Sequence, residues 1–344
     1  MRRYDIDWLR VITIGLLLTY HIAIVFQPWG LMIGFIQSDE PLVDLWTPMA
    51  FLNVWRIPLL FFVSGMGVSF AIRKRNWKQL LVERTKRIWV PFVIGIFTVV
   101  PLHMYIWERH YDMPINYVPH MGHLWFLGNI FSYVLIFLPL FSWLKKHESG
   151  RLQSVISKIT ASPFGWLLMM SLFVLEVTLA NPTVFEMYVQ TWHGYFLGLL
   201  AFFFGFVFVY AGDPFLKNLL KWRLALLVVG LGLFLWRYLE FNLKSLNYLM
   251  SIESNVWVLT VLAFGYQYLQ KPGKALSYLS EAAYPVYIWH MVFLYLSAYL
   301  ILPLSIDSWV KFVAINLLTF AGCFAIYEII KRVKVLRLAF GLKV

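Results

Sequence analysis

A single cysteine, Cys323, stands in the 344-residue chain. No intrachain disulfide can form, and thiol usage carries no sign of the redox compartment. Charge is also scarce. Asp, Glu, Lys and Arg make up 13% of the chain, against roughly 25% in a soluble domain. Acidic residues are the scarcer sign, 17 against 29 basic. No linker, low-complexity tract or internal repeat interrupts the sequence. What the chain has in excess is apolar surface. Hydrophobic residues reach 61%, against roughly 45–50% in soluble domains, and the mean hydropathy is +0.71. A soluble globule could not cover that surface. A soluble enzyme, a disordered chain and a secreted disulfide scaffold are excluded, and a polytopic integral membrane protein remains.

A spanning helix needs roughly 20 mostly apolar residues. Ten such runs are read, near 9–27, 46–72, 88–107, 123–144, 164–181, 190–210, 223–240, 254–270, 283–303 and 309–330. A β-barrel would instead alternate in short segments, unlike the run from Leu197 to Phe204. The expected fold is therefore all-α, a membrane helix bundle of about ten transmembrane helices forming a single domain over 1–344. Asp5, Asp7 and Arg10 crowd the first span and no small-residue cleavage site follows His21, so it reads as a retained helix and not as a signal peptide.

The net charge of +12 has a simple source. Twenty-three basic residues, from Arg2 and Arg3 to the tail cations Lys331–Lys343, fall at the termini and in the even-numbered connections. Only Arg109, Arg237, Lys244 and Lys311 fall on the opposite side. Cytoplasmic loops attract Lys and Arg, so both termini are expected in the cytoplasm. The basic face then meets anionic lipid of the bilayer, and no nucleic-acid partner is needed to explain it.

An ionisable residue inside a span is costly and is by default a functional candidate. Arg10 and His21 lie eleven positions apart on the first span. At 100° per residue they differ by about 20° in direction and by about 16 Å along the axis. One helix face thus carries a cation near the cytoplasmic mouth and an imidazole near the outer one. Arg56 precedes Pro58 in the second span, where a break in backbone bonding needs neighbours to absorb it. Glu176 or Asp44 could pair with it. Gly65 and Gly67 suit close helix packing. Arg84, Lys86 and Arg87 form a cationic cluster able to clamp phosphates. His120 and His123 have a metal-pair spacing, but the sequence supplies no third ligand, and no metal is expected. Trp125, Glu176, Trp192 and His193 are the polar or aromatic candidates toward the outer side. Tyr284, Tyr287 and His290, on the ninth span, read individually as packing or helix–helix bonding residues.

A polar path from an inner cation cluster to an outer imidazole suits two functions. Either a solute crosses, in which case the chain is a transporter using His21, Arg56 and Glu176, or a group on a cytoplasmic carrier is handed to an outer acceptor. A non-catalytic scaffold would leave the alignment of Arg10 with His21 unexplained.

The residues themselves resemble a known family. Arg10, ten residues and then His21 is similar to the opening signature of the acyltransferase-3 family of membrane O-acyltransferases. Arg56-Ile57-Pro58 through Ser64-Gly65, Arg84 and Arg87 before Pro91, His123-Leu124-Trp125-Phe126-Leu127, and Tyr284-Pro285-Val286-Tyr287-Ile288-Trp289-His290 resemble its later segments in order. The subgroup closest in appearance is the glucan-biosynthesis protein C type. One departure is that Gly128 and Asn129 stand where many members carry a carboxylate, which leaves Glu176 as the acidic candidate.

The resemblance implies transfer of an acyl group, acetyl first and succinyl as the alternative, from cytoplasmic acyl-CoA. The acceptor would be a hydroxyl of an extracytoplasmic polysaccharide, oligosaccharide or lipid-linked glycan. The expected location is a cell membrane, crossed many times. His21 would be the general base or a transient acyl carrier, with Arg56 and His123 in the catalytic set. Arg10, Arg84 and Arg87 would hold the CoA phosphates. Trp125, Glu176 and His193 would meet the acceptor.

Overall fold

A computed structural model describes residues 3–343. Arg2, one of the terminal cations, lies outside the described residues. Among those residues every regular element is helical, and ten helices are long and apolar enough to cross a bilayer. The protein is an all-α, multi-pass integral membrane protein.

The ten expected runs all appear, with shifted ends. Helix α1 (Tyr4–Val25) carries Arg10 and His21 on one unbroken helix, and α2 (Trp46–Arg73) continues through Pro58. The third span is built from α3 (Trp77–Arg84), a π-turn (Thr85–Trp89), α4 (Val90–Phe97) and α5 (Val99–His110). Then come α6 (Trp125–Lys146), the short α7 (Arg151–Thr160), α8 (Pro163–Ala180) and α9 (Trp192–Ala211). The remainder are α10 (Asp213–Glu240), α11 (Asn247–Tyr268), α12 (Lys274–Ile301), α13 (Ser308–Ile330) and the terminal α14 (Lys334–Ala339). Three helices start well before the apolar run does: α10 at 213 and not 223, α11 at 247 and not 254, α12 at 274 and not 283. A reading for apolar residues stops at charges such as Lys217 and Arg223, whereas helical backbone bonding does not depend on side-chain polarity.

Two prolines show how the bundle absorbs broken bonds. Proline removes an N–H and crowds the carbonyl four residues earlier. For Pro58 that carbonyl is Val54 O, and Tyr188 Oη donates to it at 3.2 Å. For Pro101 it is Phe97 O, and Tyr117 Oη donates to it at 2.9 Å. The helix breaks there, between α4 and α5, at Thr98 (φ −127°, ψ −58°).

The chain divides into two compact units, each drawn from three stretches of sequence. The first comprises Met1–Thr13, Ala50–Glu83 and Asn129–Leu276. In it α2 and α9 approach at backbone contact: a Cβ on Gly65 would collide with Phe202 O, and one on Gly205 with Phe62 O. This is the small-residue packing expected of the Ser64–Gly67 stretch. A buried ion pair also lies in this unit. Arg237 donates to Glu253 through Nε at 2.7 Å and Nη2 at 2.9 Å, and to Leu243 O through Nη1 at 2.9 Å. Arg237, which the charge pattern places toward the outer side, is 1% exposed; helix α10 carries it inward to a carboxylate that the sequence does not mark.

The second unit comprises Ile14–Met49, Arg84–Gly128 and Ser277–Val344. Its core gathers Tyr20, Ile22, Phe26, Phe35, Ile36, Leu294, Tyr295 and Ala298, among others, under the connection that joins α1 to α2.

Membrane orientation is open to a direct test. With cytoplasmic termini, a cysteine placed at Gln37 should react with an impermeant thiol reagent from outside, and one at Asn76 only from inside. Reaction of both from one side would refute the charge-derived orientation.

Candidate functional site

Four histidines meet in the second unit. His21 comes from α1, His103 from α5, His123 from the 3-10 turn Gly122–Leu124 that opens α6, and His290 from α12. His21 Nδ1 lies 2.8 Å from His290 Nε2, with the rings stacked at 5.1 Å. The His123 ring stands 4.9 Å from that of His290 and 5.5 Å from that of His103. His103 and His290 are fully buried, and His21 and His123 are half-buried.

Backbone carbonyls fix the protons. His290 Nδ1 faces Tyr287 O at 2.6 Å. A carbonyl only accepts, so Nδ1 carries hydrogen, and in the neutral ring Nε2 is the acceptor. His21 must then donate from Nδ1, which leaves the lone pair of neutral His21 on Nε2. That nitrogen is the one equipped to take a proton. The same logic applies to His123. Its Nε2 donates to Ile288 O at 2.8 Å, so the lone pair sits on Nδ1, which is buried and has no hydrogen-bond partner among the described residues. His103 Nδ1 donates to Val99 O at 3.2 Å. Tyr287 Oη donates to His123 O at 2.5 Å and ties α12 to the start of α6. Phe35 closes one side, 5.7 Å from the His21 ring and 6.0 Å from that of Tyr295. Tyr295 Oη in turn donates to Gly34 O at 2.6 Å. Among the described residues no three His, Cys, Asp or Glu side chains are grouped to hold one metal ion. His120 precedes the turn that opens α6. Its Nδ1 accepts the Gly122 N–H at 3.0 Å.

The other sequence-derived candidates fall in several places. Arg84 and Arg87 flank and enter the π-turn of the third span, in the same unit as the histidines, both half-buried. Arg87 Nε donates to Gly341 O at 3.4 Å. The C-terminal segment reaches this point because Gly341 takes φ +74°; a Cβ there would lie 2.7 Å from Arg87 O and 2.9 Å from the Tyr284 ring. Trp125 is buried at the head of α6. In the first unit, Arg10 pairs with Asp7 at 3.1 Å, and Arg56 is 2% exposed on α2. Glu176 and His193 bond to each other. His193 Nδ1 lies 3.0 Å from Glu176 Oε1, and its Nε2 lies 3.0 Å from Phe185 O. The pair staples α8 to α9 below the surface.

His290 and His103 were not singled out from sequence as site residues. A lone histidine in an apolar run usually makes a local bond, and nothing in the spacing brings position 290 to position 21. The available signal is the Tyr284–His290 segment, whose likeness to a family pattern gives its last residue no role.

The chain matches the acyltransferase-3 family, described as an acyltransferase domain, over residues 3–328, and so belongs to that family. No curated protein and no solved structure matches it. The protein is accordingly a membrane acyltransferase.

Proposed function

We propose that this enzyme moves an acyl group, acetyl first, from cytoplasmic acyl-CoA to a hydroxyl of an extracytoplasmic glycan, with His21 as general base. The observation that supports this best is the His21–His290 bond at 2.8 Å, in which His290 is itself held by Tyr287 O. A sugar hydroxyl is a weak nucleophile until its proton is taken. In the proposed step, His21 Nε2 accepts that proton as the hydroxyl oxygen bonds to the thioester carbonyl carbon. The tetrahedral intermediate then expels the CoA thiolate, which takes the proton back from His21 Nε2. Ester and CoA thiol result, and His21 returns to its starting state. His290 keeps Nδ1 of His21 protonated and stabilises the imidazolium formed between the two steps. Arg56 is assigned to the developing oxyanion, and His123 to the acceptor side through its Nδ1 lone pair. Arg10, Arg84 and Arg87 are assigned to the donor phosphates, and Trp125 to the acceptor. Glu176 and His193, already bonded together, are assigned to holding α8 on α9.

Mass spectrometry of extracytoplasmic glycans from cells with and without the protein tests the proposal. An acyl mass increment that depends on the protein supports it and identifies both group and acceptor; identical glycans would refute it.

Arg10 offers a second test. Losing a charge-assisted hydrogen bond costs about 1.5–3 kcal/mol, roughly a ten- to hundredfold change in affinity. Arg10→Ala is expected to raise the acyl-CoA KM by that factor with a smaller change in kcat. Unchanged donor affinity would make Arg10 a lipid anchor or a salt-bridge partner of Asp7 and move the donor entrance to Arg84 and Arg87.

A further inference from the structure

The connection between α5 and α6 does not stay at the end of α5. Tyr117 Oη bonds Phe97 O at 2.9 Å, and Phe97 lies thirteen residues before the end of α5, about 20 Å along the helix axis. The six residue steps from Tyr111 to Tyr117 span about 20 Å if extended. The chain therefore doubles back along α5. It then stays at that level. A Cβ on Gly122 would lie 3.3 Å from the Val100 side chain, and the His123 ring is 5.5 Å from that of His103. Phe97, Val100 and His103 all belong to an apolar membrane-spanning stretch.

This returning segment has no regular secondary structure, and Asp112 to Met121 are all exposed. The N–H groups of Ile115, Tyr117, Val118, His120 and Met121 have no partner among the described residues. Those of Met113, Asn116 and Gly122 are bonded to Glu108 O, Glu108 Oε2 and His120 Nδ1. Non-helical backbone with unbonded polar groups is tolerated at membrane depth only where it is buried in protein or faces water. Exposure removes the first option, so water must be at hand.

We propose that Pro114–Met121 walls a water-filled vestibule leading to His123, and that its unbonded peptide groups are the edge on which a carbohydrate acceptor docks. The second half rests on the hydroxyl-acceptor reading above. A sugar hydroxyl both donates and accepts, and so matches a non-helical backbone that offers both N–H and C=O groups. Ile115, Val118 and Met121, 55%, 52% and 42% exposed, lie between those groups and offer apolar contact to the carbon face of a pyranose ring. The same segment brings the bound sugar toward the Nδ1 lone pair of His123.

The test uses the full-length protein with Cys323→Ala and single cysteines at Ile115, Val118, Ser305 and Leu172. Ser305 is an exposed turn residue, and Leu172 an exposed position inside the apolar helix α8. The probe is a charged, membrane-impermeant methanethiosulfonate. It needs the thiolate, which forms only in water, so Ile115→Cys and Val118→Cys should react within about tenfold of Ser305→Cys and about 100-fold faster than Leu172→Cys. Rates as slow as that of Leu172→Cys would mean the segment faces lipid, and would overturn the vestibule. Millimolar cellohexaose or maltohexaose should slow labelling at Ile115→Cys and Val118→Cys but not at Ser305→Cys. Equal rates with and without both sugars would overturn the carbohydrate edge. Labelling is read without an acyl donor, so loss of the vestibule and loss of acyl transfer are separate results.

Discussion

Replacing His21 with alanine is expected to lower kcat for acyl transfer by about 10²–10⁴-fold, the range for a lost general base, while acyl-CoA still binds. The two effects separate because the donor phosphates are assigned to arginines and not to the imidazole. Near-normal turnover in His21→Ala would make His21 structural. The neighbouring histidine gives a finer version of the test. His290 Nε2 accepts from His21 Nδ1, and a glutamine amide oxygen can accept in its place, whereas leucine cannot. His290→Leu should therefore lose activity and alter the pH profile of kcat, and His290→Gln should restore much of both. Equal loss in both variants would mean that His290 serves packing alone.

The largest stability effect is expected in the first unit, at the Arg237–Glu253 pair. Both side chains are 2% exposed and are joined by two hydrogen bonds. Removing one partner leaves the other charge buried and uncompensated, at a cost of about 3–5 kcal/mol. Glu253→Leu and Arg237→Met should each sharply lower the melting temperature of the detergent-solubilised protein. The double replacement should recover much of the loss, because an apolar pair leaves no stranded charge. Turnover per folded molecule should stay near normal, since neither residue is assigned to the chemistry. Single variants as stable as the parent would mean that the pair is solvated in the membrane.

The spans were legible because twenty apolar residues in a row have few other uses, and all ten runs became helices. Their starts were less legible. Lys217, Lys221 and Arg223 end an apolar run, yet α10 continues through them to Asp213. Arg10 and His21 could be related from sequence alone because one helix carries both. His290 could not be related to His21, since 269 positions separate them and local periodicity says nothing about which helices adjoin. The burial of Arg237 is not legible for the same reason: its partner lies on the next helix. The course of the returning segment is not legible in Pro114, Asn116 and Pro119. Its signal was split between Pro101, which frees a carbonyl, and Tyr117, which caps it; only the fold joins the two.

The most direct measurement is acyl transfer by the purified protein in proteoliposomes. Radiolabelled acetyl-CoA is supplied on the side of the termini and an oligosaccharide acceptor on the other. Label should appear on the oligosaccharide in ester linkage, free CoA should accumulate on the donor side, and both should fall together in His21→Ala. Label that stays on CoA with the parent protein, or transfer undiminished in His21→Ala, would contradict a membrane acyl transfer driven by the His21–His290 pair.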